Sequence, residues 1–340
     1  MPCASRRIFL RVQIRRVSCP SCQAVKRESL EWLAANPRYT KRFVRAVGRR
    51  CRESTIKDVA ADFSLDWDTV KDLDKEYMQD QMKTAGHPAP TKLGVDEISV
   101  QKGHHYRVVV SDLERRRAIW FGGKGRSKAD LDLFFLENGK KRNGKIELVA
   151  MDMSQAFQNS AKEHVPDATL LFDKFHVMQK LCDALDEVRK KEYQRLTGNA
   201  RTFVKGQKYV LLSNRENLDR KGRASLALLL KANKRLQTAY LLKESFDQFW
   251  TYLSATWARK FFDNWKDSLK WQRLKPLEEF AAMVDRHWDG IVAHLSIEGI
   301  PLGFVEGLNN KIRVFQRRAY GLRDEEYLRL KVLTCMLPKL

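Results

Sequence analysis

Apolar positions along the chain change their spacing twice. Residues 9–17, Phe-Leu-Arg-Val-Gln-Ile-Arg-Arg-Val, partly alternate and predict one or two short strands leading to a Cys-Pro-Ser-Cys knuckle at 19–22. From Ser29 the spacing becomes helical. An amphipathic stretch runs from Arg38 to Val47, a second helix opens at 54–58, and a third opens at 65–70 after a break at Phe63 and Ser64. Three short helices with a tight turn between the last two have the layout of a helix-turn-helix, with Asp66 or Asp68 as the cap of the third. Pro88 and Pro90 then end helical continuation and mark a boundary.

Beyond that boundary the period becomes that of strands. Residues 92–100, 105–112 and 115–121 have strand composition with short polar turns between them, as in an antiparallel meander. Ser127 caps a helix running to about Glu137, a compact apolar strand at 146–151 ends at Asp152, and a helix begins at Ser154. A fifth strand spans 168–172, and Asp173 opens the helix that contains His176. The order β-β-β-α-β-α-β-α predicts an α/β ribonuclease-H-like core, a mixed five-stranded sheet with flanking helices. From Phe175 to Gly290 the pattern is helical throughout, with stretches at 181–196, 226–246 and 249–265, and reads as a large all-α insertion. Its tryptophans, Trp250, Trp257, Trp265, Trp271 and Trp288, are expected to pack between helices. The expected domains are a basic strand segment with a partial zinc knuckle (1–28), the helix-turn-helix (29–88), the catalytic core (89–178 with 300–340) and the helical insertion (179–299).

Charge then narrows the partner. Sixty-four Lys and Arg against 42 Asp and Glu leave a formal charge of +22, an excess that calls for a polyanion more than for a fold. A membrane partner is not expected, because no run of apolar residues is long enough to span a bilayer, and the first residues lack a signal peptide's unbroken apolar stretch. Nucleic acid remains, and Trp67, Thr69 and Lys71 of the third helix become candidate DNA contacts. The six scattered cysteines fit a reducing, cytoplasmic setting. Cys19 and Cys22 have metal-ligand spacing and are candidate zinc ligands, although a structural zinc takes four donors.

Two acids in apolar strand contexts, Asp96 in LGVDEIS and Asp152 in LVAMDMS, ask for an explanation, since a buried charge is costly without compensation. Phosphodiester chemistry supplies one. Carboxylate oxygens are the ligands preferred by hard divalent cations, and two such cations activate a nucleophile and stabilise the leaving oxygen. Glu306, on a last helix expected to pack against the sheet, is the candidate third carboxylate, with Glu298 its nearest rival. Glu97 should face away from Asp96, and Asp112 should cap a turn.

The segments GVDEIS (94–99), DMS (152–154), DKFH (173–176) and VEGLNNKIR (305–313), followed by FQRR (315–318) and YGL (320–322), resemble those of insertion-sequence DDE transposases of the ISL-three family. The resemblance covers residues 90–335 well and the helix-turn-helix region more loosely. It implies a ribonuclease-H-like core, a triad of Asp96, Asp152 and Glu306 that binds two Mg2+ ions with Mn2+ as a substitute, and a helical insertion before the glutamate. It implies double-stranded DNA as partner, in the form of terminal inverted repeats and target DNA, and assembly as a homodimer or higher oligomer on that DNA. Asp173 and His176 are candidate supporting residues beside the active edge, and Asn309, Asn310, Lys311 and Arg313 are candidate contacts to phosphate oxygens. The family's amino-terminal segment has two cysteine pairs, of which this chain has Cys19 and Cys22. Two alternatives stay open: a nuclease or resolvase built on the same core, and a catalytically inactive DNA-binding repressor.

Overall fold

The computed structural model describes residues 2–3, 6–28, 30–101, 103, 105–296, 303–319 and 322–340. Two compact units make up the chain, one of residues 1–142 with 303–340 and the other of residues 143–302. No helix among the described residues is long and apolar enough to cross a membrane.

The first unit begins with two small antiparallel pairs, β1 (Pro2–Cys3) with β2 (Arg6–Arg7) and β3 (Arg16–Ser18) with β4 (Val25–Arg27). Of the alternating run 9–17, Arg16 and Val17 lie in β3, whereas residues 9–15 form no strand and Phe9 and Leu10 stay exposed. Alternation alone specifies no strand, because a ladder needs a partner and a face to bury. Three helices follow, α1 (Lys41–Cys51), α2 (Ile56–Phe63) and α3 (Trp67–Ala85). The first starts three residues later than its pattern suggests because Thr40 is its cap, accepting the Phe43 N–H at 3.1 Å. Thr55 and Asp58 form a capping box on α2, and Asp66, rather than Asp68, caps α3 by accepting the Thr69 N–H at 2.7 Å. Ser64, at φ 52°, makes the tight turn between α2 and α3. Gly48 lets α1 lie directly on α3, since a Cβ there would come within 2.2 Å of the Tyr77 ring. The helix-turn-helix packs against the carboxyl end of the chain: Val44, Val47, Val59, Leu73 and Tyr77 share one core with Tyr327 and Leu330.

After α3 ends at Ala85, ahead of the two prolines, β5 (Lys92–Gln101), β6 (His105–Asp112) and β7 (Arg117–Gly122) form the antiparallel meander. Asp112 is fully buried and closes the turn after β6, accepting the N–H groups of Glu114 and Arg115 at 3.0 and 2.9 Å. Next come α4 (Lys128–Asn138), opened by a Ser127–Asp130 capping box, and the single turn α5 (Lys140–Asn143).

The second unit opens with β8 (Leu148–Met151), α6 (Gln155–His164) and β9 (Thr169–Phe172), the two strands parallel. Strands β5, β6 and β7 are thus antiparallel neighbours in the first unit, and β8 and β9 a parallel pair in the second. Nothing but helix and turn follows among the described residues up to 296: α7 (Lys174–Arg195), α8 (Gly198–Gly206), α9 (Lys208–Leu212), α10 (Arg220–Ala232), α11 (Lys234–Phe246), α12 (Ala255–Ser268), α13 (Lys275–Arg286) and α14 (Trp288–Val292). The helix expected over 226–246 breaks at Asn233, whose side chain caps α11 by accepting the Leu236 N–H at 2.9 Å. Phe246, Phe249, Phe262, Trp265 and Phe280 fill the core of this unit, and the Trp265 indole donates to the Leu242 carbonyl at 2.9 Å. Trp257 and Trp271 do not pack as expected: they are 59% and 95% exposed. Helical spacing places the first on an outward face, and the second sits in the loop after α12 at φ 71°. The chain returns to the first unit with α15 (Gly303–Arg318) and α16 (Glu325–Thr334).

Candidate active site

Strand alternation puts Gly94, Asp96 and Ile98 on one face of β5. Helix α15 lies along that face. A Cβ at Gly94 would come within 2.7 Å of Val305 Cγ2, Asn309 Nδ2 donates to Asp96 Oδ2 at 2.5 Å, and Ile98 shares a core with Leu308 and Ile312. Helix and strand therefore advance together: seven helical residues rise about 10 Å while four strand residues span about 13 Å. Val305 is the neighbour of Glu306, and Asn309 is one turn further on, so the first turn of α15 presents an exposed Glu306 beside the Asp96 strand. The other Asp96 oxygen, Oδ1, accepts the Glu97 N–H at 2.8 Å. The Glu97 side chain points to the opposite face, where it meets Arg126 at 3.3 Å, and that guanidinium lies over the Tyr106 ring.

The four candidates after Glu306 separate by helical phase. Asn309 is buried at 4% exposure and turned to Asp96, whereas Asn310, Lys311 and Arg313 are exposed. Arg313 donates to Asn310 Oδ1 at 3.3 Å and Lys311 Nζ reaches Met336 Sδ at 3.5 Å.

In the second unit, Met151 and Phe172 are register partners on adjacent parallel strands. Asp152 and Asp173 are the next residues on each, so they leave the same carboxyl-terminal edge from backbones about 4.8 Å apart. Asp152 Oδ1 accepts the Ser154 N–H at 2.8 Å, and Asp173 caps α7 by accepting the Phe175 N–H at 2.9 Å. His176 follows within the first turn, its ring edge-on to Phe175. Both aspartates and the histidine are half-buried.

On α3, Trp67 is 48% exposed, but Lys71 is engaged, its Nζ 2.8 Å from Asp324 Oδ2. That ion pair, the Tyr327 N–H and Lys75 hold the Asp324 carboxyl well below the usual carboxylate range. At the β3–β4 hairpin, hydrogen bonds from Ser21 and Cys22 lower the Cys19 thiol to about 7. Among the described residues no three His, Cys, Asp or Glu side chains form a ready metal cluster. Glu298, Tyr320 and Gly321 lie outside the described residues.

One buried group escaped the sequence reading. Asp74 is fully buried, accepts the Tyr327 hydroxyl at 2.5 Å and pairs with Lys331 Nζ at 2.6 Å. A signal existed: a carboxylate in the helical stripe Val70, Leu73, Tyr77, Met78 is out of place without a partner.

Comparison with known proteins agrees with this architecture. The family model of ISL3-type DDE proteins, described as a transposase, matches residues 93–332, and the model described as the helix-turn-helix domain of transposase family ISL3 matches residues 28–78. The chain is 34% identical to the transposase for insertion sequence element IS1001 of Bordetella parapertussis, over 98% of this chain and 82% of that protein. It is 29% identical to the transposase for insertion sequence element IS1557 of Mycobacterium tuberculosis strain H37Rv, over 94% of this chain and 77% of that protein. With most of its length accounted for in this way, the chain belongs to the ISL3 family of insertion-sequence DDE transposases, DNA-binding enzymes that cleave and transfer DNA strands.

Proposed function

We propose that Asp96, Asp152 and Glu306 are the catalytic carboxylates of this transposase, on a ribonuclease-H-like core formed by residues 89–178 and 300–340 with 179–299 inserted as a helical domain. The observation that carries this reading is the alignment of α15 on β5, which brings the first turn of α15, and with it Glu306, to the strand face that holds Asp96. Asp152 supports it by standing at the carboxyl end of β8, where open α/β sheets bind their ligands.

The family works with divalent metal. The donors here fit such ions of the hard class, being carboxylate oxygens with an amide beside them and no thiol or imidazole among the three. Two Mg2+ ions, with Mn2+ as a substitute, are the proposed cofactors, and when bound they supply Lewis acidity toward the scissile phosphate. The chain's own residues do the rest. The three carboxylates hold the ions, and Asn310, Lys311 and Arg313 on the exposed face of α15 contact phosphate oxygens. The helix-turn-helix selects terminal inverted repeats, and α3 presents Trp67 toward them. Two ends are joined by a homodimer or larger assembly, acting in the cytoplasm on target DNA. Zinc is not part of this proposal, since Cys19 and Cys22 provide two of the four donors a structural site takes.

The test is strand transfer from precleaved ends to a target plasmid in Mg2+ and in Mn2+. Glu306→Gln should bind end DNA as tightly as the parent protein while cleavage and joining fall by orders of magnitude, because one site serves both steps. Glu298→Gln should stay near normal. An active Glu306→Gln protein overturns the assignment, and cutting without joining by the unaltered protein favours the nuclease alternative.

A further inference from the structure

We propose that Asn309 is a positioning residue of the metal site, fixing the Asp96 carboxylate through its side-chain amide N–H. The inference rests on the assignment of Asp96 as a metal ligand.

Asn309 stands where α15 otherwise buries apolar side chains, between Leu308 and Ile312. Its Nδ2 donates to Asp96 Oδ2 at 2.5 Å, while its Oδ1 is buried and has no hydrogen-bond partner among the described residues. Turning the amide over would set two acceptor oxygens against each other, so its orientation is decided by Asp96. A buried acceptor left unpaired costs about 1–3 kcal/mol, and natural proteins rarely keep one without a use.

Asp96 Oδ1 accepts the Glu97 N–H and Oδ2 accepts the Asn309 amide N–H. Hydrogen bonds of this kind fix the plane of a carboxylate, and a ligand held in one orientation binds a cation better than one free to rotate. Burial separates Asn309 from its neighbours: Asn310 and Arg313 are exposed and suited to phosphate, whereas Asn309 is turned inward to Asp96.

The test is a Mn2+ titration of the full-length protein, followed by the loss of the free Mn2+ electron paramagnetic resonance signal, beside thermal melts without metal. Asn309→Leu keeps the volume and removes the amide, and Asn309→Ala guards against misfit of the larger side chain. In both, the Mn2+ dissociation constant should rise roughly 10- to 100-fold, the range for losing a partner that orients a metal ligand. Strand joining at limiting Mn2+ should fall and recover as Mn2+ is raised, with end binding unchanged. A residue that merely packs would lower the melting temperature without moving Mn2+ affinity. Parental Mn2+ affinity in both variants, with affinity lost in Asp96→Asn, overturns the role of Asn309 alone. Parental affinity in Asp96→Asn removes the metal-site assignment, and the role of Asn309 with it.

Discussion

Gly94 is the position where a single methyl group should damage the enzyme most informatively. An added Cβ would lie 2.7 Å from Ser111 Oγ, 2.7 Å from Val305 Cγ2 and 2.9 Å from Leu113 Cδ2, against the roughly 3.5–4.0 Å of ordinary carbon contacts. Ser111 and Leu113 are fixed, one in the β6 ladder and the other in the turn that Asp112 closes, and both are about 1% exposed. The Val305 contact is then relieved by α15, which has to retreat by about 1 Å, while the contacts with Ser111 and Leu113 remain as strain. Overpacking of this kind costs about 1–3 kcal/mol, and at about 2–4 °C per kcal/mol Gly94→Ala should lower the melting temperature by roughly 2–12 °C. The loss of activity should be larger than the loss of stability. The helix that moves carries the proposed catalytic Glu306 and the proposed positioning residue Asn309, and a 1 Å displacement in an active site can cost on the order of 10²-fold in rate. Melting curves and strand transfer from precleaved ends, measured below the melting range, give both numbers. Val305→Ala in the Gly94→Ala background should restore part of each. A Gly94→Ala protein that melts and joins like its parent would show that β5 and α15 are not in the close contact argued above.

The buried ion pair and the surface one should behave differently. Lys331→Met leaves Asp74 buried with the Tyr327 hydroxyl as its remaining donor, and should cost about 3–5 kcal/mol in urea unfolding; adding Asp74→Leu should recover much of that, and a near-parental single variant would refute the argument. Asp324 is the pH-sensitive case: its folded-state pKa is depressed, so its stabilisation is complete above the unfolded value of about 3.9 and is lost as pH falls through the lower folded value. The stability gap between the parent and Asp324→Asn should stay constant from neutrality to about pH 5 and narrow below about pH 4, and a gap that closes near pH 6 would assign the effect to another group.

Much of the architecture was legible because it rests on local rules. Helix starts were written in Ser127 and Asp66, and the end of α3 in the two prolines. Asp96 and Asp152 stood out as charges in apolar strand contexts, and the residues around Glu306 carried a family resemblance that its spacing alone did not supply. Locally ambiguous patterns were decided by tertiary structure. The alternating residues 9–15 formed no strand, because pairing depends on a partner elsewhere in the chain. The helical run at 226–246 carried no sign that Asn233 would prefer a cap to a helix interior. Five similar tryptophans proved to be different: Trp265 is buried against the Leu242 carbonyl while Trp271 is almost fully exposed, because periodicity gives a helical phase but not the presence of a neighbour. The same holds at the site. Sequence placed Asn309, Asn310, Lys311 and Arg313 together as phosphate contacts, and the packing of α15 on β5 turned Asn309 inward to Asp96, since which face of a helix is buried depends on what it meets.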